Sequence, residues 1–374
     1  MKQRKITALL SPLALIAASC GVPAVGESPE AQDQEAGATP FTITEIATFD
    51  EPWAIAFIPS SPLALITEKA GRLMLWEEGG AVREVAGVPE VAYGGQGGLG
   101  DVVLAPGGDG PDASTVYLSW AEAGANDTRG AAVGRARLVL GDTPRLEGLE
   151  VIWRQQPKVS GRGHYSHRLA FSPDGAHLYI ASGDRQKLDP AQDSTTDLGK
   201  MLRLALDGSG AVEQVSSGHR NILGMAFDDE GHLWEVEHGP AGGDELNIVK
   251  PGANYGWPKV SEGKHYNGDA IPAHATQPAF VPPVISWTPV IAPGDMIFYR
   301  GNQFPAWQGQ LLIAAMKPAG IVRVAIAGET ASEVARYSTQ RRIRAIAERE
   351  DGSVWLLEDR AGGRLLKLEP LAAK

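Results

Sequence analysis

Beyond residue 40 the apolar positions come in short runs, each closed by Gly, Pro, Asp or Asn, and no stretch keeps a helical repeat of apolar residues. Five runs share one shape, a turn glycine followed by a β-rich segment: Gly71–Trp76, Asp174–Ile180, Glu230–Trp234, Gly309–Ile313 and Asp351–Leu356. Their uneven spacing describes a degenerate repeat with loop insertions. Four short strands per unit of about 40–50 residues is the mark of propeller blades, and the length of the chain divides into roughly six to eight such units. The pattern therefore predicts an all-β propeller in one domain spanning 41–374. A pair of β-sandwiches, whose strands are also short, is the competing arrangement.

Composition agrees with many turns: 45 glycines and 26 prolines in 374 residues. The net charge of −11 argues against nucleic acid as a partner. The first residues add a different element. Lys2, Arg4 and Lys5 precede an apolar stretch from Ile6 to Ala18, too short to span a bilayer comfortably, which ends in Ala17-Ala18-Ser19-Cys20. Residues 1–19 read as a lipoprotein-type signal. Cys20 is the only cysteine, so no disulfide can form within the chain, and its place after small residues suits a lipid attachment point. Residues 20–40, rich in Ala, Gly, Pro, Glu and Ser, read as a flexible tether. The expectation is an exported, periplasmic protein held to the outer membrane through Cys20, with no other membrane contact.

Six polar clusters fall in expected loops, where propellers carry their function. Gly94–Gly100 is a glycine-rich turn that lets backbone approach a flat ligand, with Gln96 offering an amide. Gly163–Arg168 holds His164 and His167; in an extended segment they would point to opposite faces, so a single basic histidine is the better reading than a metal pair. Arg220 and Asn221 stand side by side before a strand. Glu237–Glu245, running on to Asn254–Pro258, combines carboxylates, glycines and a proline carbonyl, the oxygen donors a hard cation such as calcium prefers. Lys317 follows a strand, and the spacing of Arg342 and Arg344 puts both guanidinium groups on one face of another. Four cations gathered by an acidic protein suit a polyanion or a reduced oxygen.

Taken in order, these segments resemble the soluble PQQ-dependent glucose and aldose sugar dehydrogenases over about residues 42–370. The resemblance rests on Pro52–Phe57, Gly95–Leu99, His164 four residues before Arg168, Gly218–Asn221, Glu237–Pro240, Gly243–Glu245, Asn254–Pro258, Lys317 and Arg342–Arg344. It implies a six-bladed propeller that oxidises aldose sugars at C1 to lactones with PQQ and calcium, passing electrons to an acceptor the sequence does not identify. By the same resemblance His164 is the catalytic base and Asp184 an acid that orients it. Gln96, Arg220, Asn221, Tyr266, Lys317, Arg342 and Arg344 match PQQ contacts. Gly239 and Pro240 match the carbonyls that hold a catalytic calcium, and Glu245 and Tyr255 match ligands of a second, structural calcium. His167 departs from the family pattern, where a small residue is usual, and is expected to narrow the sugar pocket or sit beside PQQ. The long loops of the soluble glucose dehydrogenases are missing, which favours the aldose branch. A calcium-dependent propeller hydrolase of the lactonase kind and a non-catalytic sugar-binding propeller are the rival readings.

Overall fold

The computed structural model describes residues 39–107 and 114–371. The expected signal (1–19) and nearly all of the expected tether lie outside these residues. Among the described residues there is no α-helix, and none of their helices is long and apolar enough to cross a membrane. Twenty-four strands among the described residues form six four-stranded antiparallel sheets. Five of them run outward from the axis in chain order. The first blade runs from β2 (Pro52–Phe57) to β5 (Val82–Val85), the second from β6 (Leu99–Leu104) to β9 (Arg145–Arg154), and the third from β10 (Ser166–Phe171) to β13 (Glu213–Ser217). The fourth runs from β14 (Ile222–Phe227) to β17 (Ile285–Trp287), the fifth from β18 (Pro293–Phe298) to β21 (Thr330–Ser338). The sixth is composite. β22 (Ile343–Glu348), β23 (Val354–Glu358) and β24 (Ala361–Pro370) are completed on the outside by β1 (Phe41–Asp50), which pairs antiparallel with β24. Each inner strand touches the next, and β22 returns to β2, so the ring is closed. The expected six-bladed propeller is the observed fold.

The glycine-led runs have a simple placement. Four of the five open the second strand of a blade, and only Gly71–Trp76 opens a third strand. Gly71, Gly175, Gly231, Gly309 and Gly352 all have positive φ, between 68° and 102°, which a side chain disfavours at a tight turn. Apolar residues of adjoining blades fill the gaps between sheets: Trp76 meets Trp355 with ring centroids 5.4 Å apart, and Phe41 of β1 packs on Trp307 and Tyr337. Each such large side chain contributes about 1.5–3 kcal/mol by leaving water.

One irregularity repeats in every blade. The pairing of inner and second strands shifts register at the start of the inner strand: Pro52/Ala54, Leu99/Val102, Ser166/Leu169, Ile222/Gly224, Pro293/Asp295 and Ile343/Ala345. A bulge bends the strand and re-aims its side chains. Six of them at the same end make a ring of redirected residues at one mouth of the axis. The second strands finish at that end too, because they run antiparallel to the inner ones.

Candidate active site

His164 lies just before β10 and Asp184 just after the second strand of the same blade, β11 (His177–Ser182). The hairpin pairing brings them together: His164 Nδ1 is 2.7 Å from Asp184 Oδ1. Asp184 also accepts from the Gln186 amide at 2.8 Å and from Trp257 Nε1 at 2.7 Å, so three donors fix its carboxylate. With Asp184 as acceptor the ring proton sits on Nδ1. Nε2, which meets no described partner, keeps its lone pair. Burial pushes the His164 pKa below its ordinary 6.5 and the Arg220 cation adds to this, against the opposing pull of Asp184. The ring is therefore neutral near pH 7 and able to take a proton.

The backbone here is not extended. His164, Ser166 and His167 have φ of 48°, 64° and 77°, an unfavourable region for side-chain-bearing residues that neighbouring contacts must enforce. Gln96 Oε1 accepts from the His164 amide at 2.7 Å and Asn221 Oδ1 from the Ser166 amide at 3.2 Å. Arg185, fully buried, donates to the carbonyls of Gly161, Gly163 and Arg129 at 2.6–2.9 Å and lies 3.7 Å over the Tyr165 ring. Two expected ligand-binding groups, Gln96 and Asn221, thus also hold the base in place.

The four expected cations come from three consecutive blades. Arg220 donates to the His238 carbonyl and to the Tyr266 hydroxyl, both at 3.1 Å, while its buried Nε has no partner. Tyr266 is 78 % exposed, a ring standing at the rim. Lys317 is exposed and its ammonium meets no described partner. Arg342 lies just before β22 and Arg344 at the bulge that opens it, so strand alternation does not place them, yet both reach one acceptor. Asp359 receives Arg342 Nε at 2.8 Å and Arg344 Nε and Nη2 at 3.0 and 2.8 Å.

Gly239 and Pro240 follow β15 (Leu233–Glu237). Gly239 is wedged so tightly that a Cβ would lie 2.1 Å from the Gly243 carbonyl oxygen. Its amide donates to Asp244 at 2.9 Å, and neither its carbonyl nor that of Pro240 receives a hydrogen bond from a described residue. A small cavity beside them is lined by Glu237, Glu245, Tyr255 and Ser261. Burial and the neighbouring Glu237 carboxylate push Glu245 well above the usual carboxylate range. The Tyr255 hydroxyl is committed to the Ile248 carbonyl and the Lys250 amide, and its carbonyl accepts from His274 Nε2 at 2.9 Å. Hydroxyl and carbonyl oxygen of Tyr255 each accept one hydrogen bond and keep one lone pair. Deeper in the same blade His219 Nδ1 stands 3.1 Å from Glu237 and 3.6 Å from Glu235. Its ring stacks against Tyr255 with centroids 4.7 Å apart.

One tier below the mouth the axis is closed by Arg168. It donates to the Leu223 carbonyl at 2.7 Å, to Asp101 at 3.1 Å and to the Gly294 carbonyl at 2.6 Å, and it lies 4.1 Å over Trp53. Asp295 is 3.5 Å away and binds the Ile346 amide, so this cluster draws on all six blades. His167 belongs to this layer. It is 3 % exposed, stacked on Tyr165 at 5.2 Å and edge-on to Trp53. Burial and the cations Arg185 and Arg168 lower its pKa to about 3. The expectation that it narrows a sugar pocket or flanks a cofactor is corrected: the positive φ turns its ring into the packed wall instead of the mouth.

Comparison with known proteins gives this geometry a family. The model of the glucose / sorbosone dehydrogenase family matches residues 49–367, nearly the whole propeller. The chain belongs to that family. Among its glucose / sorbosone dehydrogenase relatives, the aldose sugar dehydrogenase YliI of Escherichia coli is 38 % identical over 344 residues, covering 86 % of this chain and 90 % of the relative. Quinoprotein glucose dehydrogenase B of Acinetobacter calcoaceticus is 25 % identical, covering 85 % of each. The crystal structure of the soluble aldose sugar dehydrogenase from Escherichia coli in the apo-form superposes with a TM-score of 0.83 at 36 % identity, over 88 % of this chain and all of that one.

Three residues of this family member's site escape a reading of motifs. Trp257 sits in a quoted segment, yet its bond to Asp184 joins residues 73 positions apart. Arg185 adjoins Asp184 but reads as one more surface cation. Asp359 has no local mark beyond its place at the end of a predicted strand, although Lys317 and Asp184 follow second strands in the same way.

Proposed function

We propose that this protein oxidises aldose sugars at C1 to lactones, using PQQ and calcium. The observation that carries the reading is the convergence at one mouth of a neutral histidine, held by Asp184, with Arg220, Lys317 and the Arg342–Arg344 pair. The quinoprotein name of the Acinetobacter relative and the sugar substrate named for the Escherichia coli one support it. The residues present fit the cofactor. Arg220 keeps a buried, unpartnered Nε and Lys317 a free ammonium, donors suited to carboxylates. The Gly239 and Pro240 carbonyls, neutral oxygens in a cradle that only glycine fits, suit a calcium ion. Glu245 with the Tyr255 carbonyl is the proposed second, structural calcium site.

When bound, PQQ supplies the acceptor for the hydride leaving C1 and calcium makes that acceptor more electrophilic. The protein's own part is proton handling and positioning. His164 Nε2 takes the proton of the anomeric hydroxyl, and Asp184 stabilises the imidazolium that forms. Gln96 and Asn221 hold the strained backbone around the base, and Arg220, bonded to the His238 carbonyl, ties the cation sites to the calcium loop. Carbon C1 loses one hydride and its hydroxyl one proton, which leaves the lactone.

Export as a lipoprotein anchored to the outer membrane through Cys20 is part of the proposal; release into the soluble fraction by Cys20→Ser tests it. The catalytic reading is tested by adding PQQ and calcium to the full-length apoprotein and following dye reduction with a panel of aldoses. Sugar-dependent reduction that needs both additions is the expected result. Lactone hydrolysis with calcium alone would move the protein to the hydrolase class, and sugar binding without turnover to the non-catalytic one.

A further inference from the structure

Asp359 stands where a cofactor-binding cation pair meets the end of a second strand, and it is bound to both arginines three ways. Its main-chain amide donates to the Arg342 carbonyl at 2.9 Å, its Oδ2 holds Arg342 Nε, and its Oδ1 holds Arg344 through Nε and Nη2. Two guanidinium groups brought this close repel one another. A single carboxylate therefore does two things here. It draws the head groups to one point, and it engages their Nε edges. What remains of Arg342 turns toward the fifth blade, where Nη1 reaches the Met316 carbonyl at 3.5 Å and Nη2 the Met316 Sδ at 3.1 Å, next to Lys317. The Asp359 side chain is only 11 % exposed, and both arginine side chains are more than half-buried, so the arrangement is not a loose surface pair.

Resting on the function proposed above, we infer that Asp359 is a positioning residue for the cofactor: it sets the direction in which Arg342 and Arg344 present their remaining donors. Simple charge counting gives the opposite expectation. Asp359 lowers the positive charge of the mouth, so if the arginines acted only as charges, a polyanionic quinone would bind more tightly without it. If orientation decides, losing the carboxylate weakens binding although the site becomes more positive.

The test reads cofactor binding, not turnover. Full-length apoprotein with calcium is titrated with PQQ and followed by quenching of tryptophan fluorescence. The near-isosteric Asp359→Asn and the truncating Asp359→Ala are both measured, with thermal melting to confirm folding. The expected result is a Kd for PQQ raised about tenfold or more in both, equivalent to about 1.4 kcal/mol. In an Arg342→Gln, Arg344→Gln background Asp359→Asn should change nothing further, because its effect passes through the two arginines. Affinity unchanged or increased in both single variants overturns the inference. So does a loss of affinity that persists without the arginines, which would mark general damage to the fold. A wild-type protein that binds no PQQ removes the proposed function, and the role of Asp359 with it. Normal wild-type binding beside unweakened variants removes the role of Asp359 alone.

Discussion

Arg168 and Arg220 are both buried cations near the propeller axis, one tier apart. Arg168 spends its Nε and both terminal nitrogens on carbonyls and a carboxylate and covers its face with Trp53. Arg220 also lies over an aromatic ring, Trp257, at 5.2 Å, but it makes only two hydrogen bonds, one to a loop carbonyl and one to a hydroxyl at the rim, and leaves Nε without a partner. An ion pair broken inside a protein costs about 3–5 kcal/mol, because the survivor stays buried and unpaired. The lower tier satisfies its cation completely and behaves as architecture. The upper tier leaves the Arg220 Nε and the Lys317 ammonium open, donors that a bound anion would complete. Counting charged residues near the axis would not distinguish the two; counting unspent donors does.

The sharpest way to break this contrast is at the base. His164→Ala should lower turnover of the reconstituted enzyme about 10²-fold or more while PQQ still binds. Asp184→Asn should fall in the same direction, because the wrong ring nitrogen then carries the proton. Normal turnover in His164→Ala would remove His164 from the chemistry; in Asp184→Asn it would remove the orienting role of Asp184. Next come the two arginines. Arg168→Met should destabilise the fold by about 3–5 kcal/mol in denaturant titrations, stranding Asp101 and Asp295. Arg220→Met should leave the unfolding midpoint close to wild type and act on PQQ affinity instead; an exchange of these two phenotypes would reverse the roles of the tiers. A pH profile sharpens the contrast further. Only the neutral form of His164 accepts a proton, and its pKa lies below 6.5, so kcat should hold through neutrality and decline only on acidification below that value. A decline centred above pH 7 would mean that another group controls the rate. The smallest effect belongs to His167. Both of its buried ring nitrogens are unpartnered, so His167→Phe, which keeps the contacts to Tyr165 and Trp53, should preserve activity and raise stability by up to about 1 kcal/mol. A change in sugar preference would return His167 to the pocket.

What the sequence could reveal follows the range of the interactions. Turn glycines with positive φ act within four residues, and four of the five glycine-led runs mark second strands. His164, Arg220 and Lys317 lie beside strand ends, where composition alone suggests a functional loop. The pairing of Asp359 with two arginines 15 and 17 positions earlier needs a hairpin of known register, and the Trp257–Asp184 bond needs a neighbouring blade. The place of His167 in the packed wall, stacked on Tyr165, rests on a segment in which three residues have positive φ, a conformation that spacing does not show. The repeated bulges leave no common sequence mark, since no one residue type stands at all six sites.

β1 and β24 are the first and last strands among the described residues, and they share one sheet. A ribosome must finish the final ten residues of that sheet before the opening strand finds its permanent neighbour, so a nascent chain carries an unsatisfied edge for the whole of its synthesis. A stop codon placed anywhere ahead of residue 361 would produce an open arc of blades, not a smaller working ring.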